Sequence, residues 1–209
     1  MHPLEAPTFQ LAFLLYFVSL ALSAAYLISG ARPAERGALV TLTAGVALQT
    51  LNLMARSLQA GRAPFSNLYE SLIIFAWGTA ACLLAVQWRR QAPAAGLTVL
   101  PLVLAALGYA STLDARIEPL MPALRSPWMF YHVAAAILAY GAFAVAGGLG
   151  LLYLIRHSLE KKPTVPSWFE RLPGLGLLDT WIYSTIAFAF PFLVLVLVTG
   201  AIWAQKAWG

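Results

Sequence analysis

The sequence predicts an all-α integral membrane protein, a bundle of about six transmembrane helices. Two observations carry that expectation. Hydrophobic residues make up 61% of the chain and charged residues only 10%, whereas soluble domains average roughly 25% charged residues. A chain of 209 residues has too little interior to hide that much apolar surface from water, so its solvent is lipid. The apolar residues also fall into six runs near twenty residues long, the length that crosses a bilayer's hydrocarbon core. Residues 1–209 read as a single membrane domain.

The runs cover residues 9–28, 38–57, 68–88, 97–113, 127–155 and 180–204. The fourth is short and the fifth long. The first has no basic segment before it and no small-residue cleavage site behind it, so it reads as a retained span and not a signal peptide. Cys82 is the sole cysteine and sits in an apolar run. A disulfide framework, a Cys-x-x-Cys redox pair and a thiolate metal site are therefore excluded within the chain. The net charge of +5 comes from basic residues scattered between apolar runs. No basic face forms, and nucleic acid is not an expected partner.

Basic residues set orientation, because Lys and Arg favour cytoplasmic loops. One set of connections holds Arg32, Arg36, Arg89, Arg90, Arg156, Lys161, Lys162 and Arg171, eight in all. The other holds Arg56, Arg62, Arg116, Arg125 and Lys206, five in all. The bias places the N-terminus, residues 61–67, residues 114–126 and the Trp208 end outside. Residues 163–179 become the one sizeable cytoplasmic connection. Their Trp168, Phe169 and leucines suggest a solvated linker with a greasy anchor, and Pro173, Gly174 and Gly176 argue against a regular helix there. Charged residues inside the spans are not expected.

His132 stands out among the three histidines. Ser126 is a candidate N-cap and Pro127 suits a first helical turn, which puts His132 about one and a half turns into the fifth helix. An ionisable group at that depth in a membrane is costly and is a candidate for function. Trp128 and Ala136 share its face at four-residue spacing, and Ala134, Ala135, Gly141, Gly147, Gly148 and Gly150 leave room for close packing. A histidine hydrogen-bonded to a neighbouring helix is the other reading. His2 and His157 read as solvated. In the second loop, Pro64, Ser66 and Asn67 suit a turn and an N-cap, and Glu70 suits a helix N-terminus.

Three segments carry a family resemblance. Gly-Arg-Ala-Pro-Phe-Ser-Asn-Leu-Tyr-Glu-Ser-Leu at 61–72, Ser-Pro-Trp-Met-Phe-Tyr-His-Val at 126–133 with Tyr140-Gly141-Ala142-Phe143, and Gly-Ala-Ile-Trp-Ala-Gln-Lys-Ala-Trp-Gly at 200–209 resemble the CcsA/ResC (CcsB) cytochrome c biogenesis proteins. The last resembles the opening of that family's tryptophan-rich WWD segment, and the chain resembles the N-terminal part of such a protein.

The resemblance implies a haem transport and presentation subunit of a system II cytochrome c synthase. It would hold haem b at the extracytoplasmic face of a bacterial inner membrane for thioether attachment to apocytochrome c. It implies His132 as a haem axial ligand and Trp208, Trp203, Trp128 and Gly209 as parts of the haem platform. Arg62, Arg125 and Arg116 become candidate contacts for the haem propionates. No acid–base dyad or nucleophile is visible in the chain, so the chemistry would be positioning within a haem lyase complex. Implied partners are a ResB/Ccs-type membrane synthase subunit, apocytochrome c, a thioredoxin-like thiol reductant and the lipid bilayer. A small-molecule transporter and a non-catalytic membrane scaffold are the competing classes. Internal repeats with broken helices, expected of many transporters, are missing.

Overall fold

Each connection between helices is written in turn chemistry. In the computed structural model, which describes residues 5–90 and 92–208, α1 (Glu5–Ser29) stops at Gly30 and α2 (Arg32–Ala60) stops at Gly61. Both glycines hold positive φ, 70° and 65°, the left-handed conformation that glycine adopts without steric cost. Asn67 starts α3 (Leu68–Arg90) by accepting from the Glu70 N–H at 2.8 Å. α4 (Ala94–Ala110) starts directly after Pro93, and α5 (Pro127–Glu160) opens on Ser126, whose Oγ accepts from the Trp128 N–H. The Ser-Pro reading of that helix start is borne out. α6 (Leu175–Trp208) completes an all-helical chain.

Five of the six helices are long and apolar enough to cross a membrane. The exception is α4, a shorter apolar helix of 17 residues that begins and ends three residues before the expected run. It is the best-enclosed element. It packs on α1, α3 and α5, and Gly96, Val99, Leu100, Val103 and Leu107 are all buried. A helix surrounded by protein does not need a full hydrocarbon-spanning length. α5 and α6 have 34 residues each. At about 1.5 Å rise per residue they outrun a hydrocarbon core of about 30 Å.

Close packing follows the small residues. α3 crosses α5 at Gly78 and Gly141, where a Cβ on Gly141 would lie 2.8 Å from the Gly78 carbonyl. α1 and α2 form one antiparallel pair, α5 and α6 another, and α3 and α4 stand between. Tyr16 and Gln49 satisfy each other at membrane depth, where no water is available to do so. The Tyr16 hydroxyl donates to Gln49 Oε1 at 2.6 Å, and the Gln49 amide donates to the Ile73 carbonyl at 2.9 Å. One run of bonds thus links α1, α2 and α3.

Two expectations are corrected. The connection before α6 is exposed over residues 161–167, as expected of a solvated linker, but its second half is fixed to the bundle. Phe169 and Leu172 are buried, Arg156 donates to both of their carbonyls, and Arg171 donates to the Leu27 and Ile28 carbonyls that end α1. The helix then starts at Leu175, immediately after Pro173-Gly174, and runs through Gly176. The second correction concerns charge. Arg56 lies inside α2 with no exposed surface, and Glu5 and Glu70 are buried beside it.

Candidate functional site

Two polar centres sit at the end of the bundle that carries Glu5, the ends of α2 and α4, and the start of α5. The first is ionic. Arg56 Nη1 meets Glu5 at 2.5 Å, Arg56 Nε meets Glu70 Oε1 at 2.9 Å, and Arg62 Nη1 meets Glu70 Oε2 at 3.0 Å. The Ser66 N–H and hydroxyl also donate to Glu70 Oε2. Glu70 therefore does more than sit at a helix start: it is the hub that closes the second loop. The Arg56 guanidinium lies 4.7 Å from the Tyr69 ring centroid. Two charges of each sign cancel, which is the condition for burying them.

The second centre is built from α5 and α6. His132 lies in the second turn of α5, and its Nδ1 is 2.9 Å from the Val196 carbonyl oxygen. A carbonyl only accepts, so Nδ1 carries the proton. In the neutral tautomer with that proton, Nε2 is a lone-pair acceptor. Gly200, one turn beyond Val196, makes room for the ring: a Cβ there would fall 2.9 Å from both Cε1 and Nδ1. Trp203 stacks on the imidazole with centroids 6.5 Å apart and planes at 23°. Its indole N–H donates to the Ala123 carbonyl at 2.8 Å. Trp208 meets Trp203 edge-on at 4.9 Å and is itself largely exposed.

Trp128 lies near but not on the imidazole. It packs edge-to-face with Tyr131 and carries Lys206 Nζ 5.4 Å above its ring. With Tyr131, Ala135, Leu195 and Thr199 it lines an apolar groove of about 470 Å³ between α5 and α6. The structure thus gathers His132, Trp203, Trp208 and Trp128 at one end of one helix pair. Gly209 lies outside the described residues, as does His2. His157 is at the opposite end, stacked on Tyr153.

The three arginines have other company. Arg62 is held by Glu70 and by the Glu118 carbonyl, Arg116 pairs with Asp114 at the surface, and Arg125 donates to the Leu120 carbonyl. The loop at 111–126 joins the two centres. Arg56 and Arg62 bind its Ala115 and Glu118 carbonyls, and Trp203 binds its Ala123 carbonyl.

Residues 65–209 match the family described as Cytochrome C assembly protein. The chain belongs to that family. The match takes in Glu70, Trp128, His132, Gly200, Trp203 and Trp208, whereas Glu5, Arg56 and Arg62 precede it. Among curated relatives, the "Cytochrome c biogenesis protein CcsA" of Guillardia theta is 32% identical over 183 residues, covering 77% of this chain and 60% of that protein. The protein of the same name from Synechococcus sp. (strain CC9902) is 32% identical over 225 residues, covering 95% of this chain and 73% of that protein. The chain spans about three-fifths of the length of the first relatives it matches.

Sequence reasoning missed the ionic centre and the role of α6 in orienting His132. The first had a visible signal. Gly45, Gln49, Asn52 and Arg56 recur at four- and three-residue steps, a polar stripe on one face of α2, and all four are buried. The second had none, because no local pattern says that Gly200 will meet a residue 68 positions earlier.

Proposed function

We propose that this chain works in cytochrome c biogenesis by holding haem b at the Glu5 end of the bundle, which faces the extracytoplasmic side of a bacterial inner membrane. His132 Nε2 would bind the iron, and Trp203, Trp208 and Trp128 would supply indole surface for the porphyrin. Bound haem supplies an iron that accepts imidazole and vinyl groups that react with cysteine thiols. The acceptor is apocytochrome c, kept reduced by a thioredoxin-like protein. A ResB/Ccs-type subunit and the further part of a CcsA-like protein complete the system II haem lyase.

The observation that carries this reading is the Nδ1 bond to Val196. A ligating histidine usually gives its other ring N–H to a carbonyl or carboxylate, which fixes tautomer and ring plane. Here that second partner is present and Nε2 makes no hydrogen bond among the described residues. The residues present fit the group: one oriented imidazole with an indole face beside it, and an apolar groove lined by Trp128 on the same helix pair. Only one histidine lies at this site among the described residues, so the chain alone is expected to hold haem weakly.

The test is an absorption spectrum of the purified protein carrying this chain. His132→Ala is expected to abolish the strong-field haem bands and lower haem retention, with partial recovery in added imidazole. His157→Ala is expected to change neither. A wild-type preparation with no haem band under haem-replete expression overturns the reading and favours a transporter or a scaffold.

A further inference from the structure

We infer that Lys206 is the cation that receives a carboxylate of the bound porphyrin, an assignment that rests on the haem reading above. The argument begins with charge at the Glu5 end. Haem is a dicarboxylate, and a carboxylate left near a membrane surface is stabilised by a cation that has no other anion to serve. Arg56 and Arg62 are spent on Glu5 and Glu70, and Arg116 on Asp114. Arg125 is on the loop and bonded to Leu120. Arg125, like Lys206, makes no ion pair among the described residues, and the two differ in placement. The Lys206 Nζ is held over the Trp128 face, 5.4 Å from the centroid.

That placement puts the ammonium among the aromatic rings themselves. Lys206 lies three residues beyond Trp203 and two before Trp208 on α6, and Trp128 lies four residues before His132 on α5. One cation therefore stands at the edge of the cluster formed by an oriented imidazole and three indoles. An exposed ammonium over an indole gains little from the ring, about 0.5–1 kcal/mol. A carboxylate arriving at the same edge draws it away at small cost. Lysine has the reach to do this: its flexible stem carries a point charge with three rotatable donors.

The experiment titrates ferric haem and haem dimethyl ester into the purified chain in nanodiscs and follows the absorption band. Wild type is expected to prefer haem over its ester. Lys206→Met is expected to weaken haem binding roughly fivefold, the upper range for a surface ion pair, and to leave ester binding unchanged. Lys206→Arg is expected to restore the preference, and Arg116→Gln to leave it intact. Rising salt should erase the preference in wild type and have no effect on Lys206→Met. Equal affinity for haem and ester in wild type, or equal loss of both in Lys206→Met, overturns the assignment while the haem reading stands. If neither porphyrin binds, the haem reading falls and Lys206 with it.

Discussion

At the scale of the residue, the decisive atom of the α5–α6 site is one that is not there. Gly200 has no Cβ, and the His132 ring fills the space where one would be. Gly200→Ala must therefore push the imidazole away from Val196 or separate the two helices. We expect it to break the Nδ1 bond, costing about 1 kcal/mol, and to move haem retention towards that of His132→Ala. Gly147→Ala is the matched control, since a Cβ there meets nothing within 4 Å. Thermal melts and haem spectra of both variants check this. Unchanged retention in Gly200→Ala would mean that ring orientation does not matter to the ligand. The sequence singled out His132 by its depth, its small-residue surroundings and the resemblance of residues 126–133, and left open whether it serves a cofactor or a neighbouring helix. The structure shows that contact with a neighbouring helix and availability for a ligand are compatible, because the imidazole has two nitrogens and α6 uses one.

At the scale of the element, the ionic centre explains how the loop at 111–126 is seated. Arg56 reaches three partners from three directions: Glu5 on α1, Glu70 on α3 and the Ala115 carbonyl on the loop. Removing its charge strands the buried Glu5 carboxylate and leaves Glu70 with Arg62 as its one cation, and breaking a buried pair this way costs about 3–5 kcal/mol. Arg56→Met is expected to lower thermal stability by an amount in that range. It is also expected to loosen the loop that accepts the Trp203 indole N–H. Proteolysis within 111–126 before and after the substitution measures the second effect. An unchanged digestion pattern would uncouple the two centres.

The helices themselves were legible in sequence, since span length and the Ser-Pro start follow from local pattern. The loop closure was not. Its charges were counted as loop residues because hydropathy averages over a window and hides a single buried arginine near a helix end. The polar stripe Gln49, Asn52 and Arg56 carried the information, but only for a reader who asked which neighbour would satisfy it.

At the scale of the whole molecule, moving Arg56 from a loop into the core changes the topological argument. The Glu5 end then shows Arg62, Arg116, Arg125 and Lys206 as its basic residues, four against the eight counted for the opposite end. The positive bias that orients membrane proteins acts through short loops near helix ends, so the corrected count strengthens the expectation that the Glu5 end faces outward. The haem proposal depends on it, because His132, Trp203 and Lys206 all lie at that end. Thr112 and Ser158 are exposed residues at opposite ends. With Cys82 replaced by Ala, Thr112→Cys is expected to react with a membrane-impermeant maleimide added to intact spheroplasts, and Ser158→Cys only after the membrane is opened. The reverse pattern would turn the site towards the cytoplasm. Haem attachment to an exported cytochrome could not then occur at His132, although the α5–α6 geometry would be unchanged.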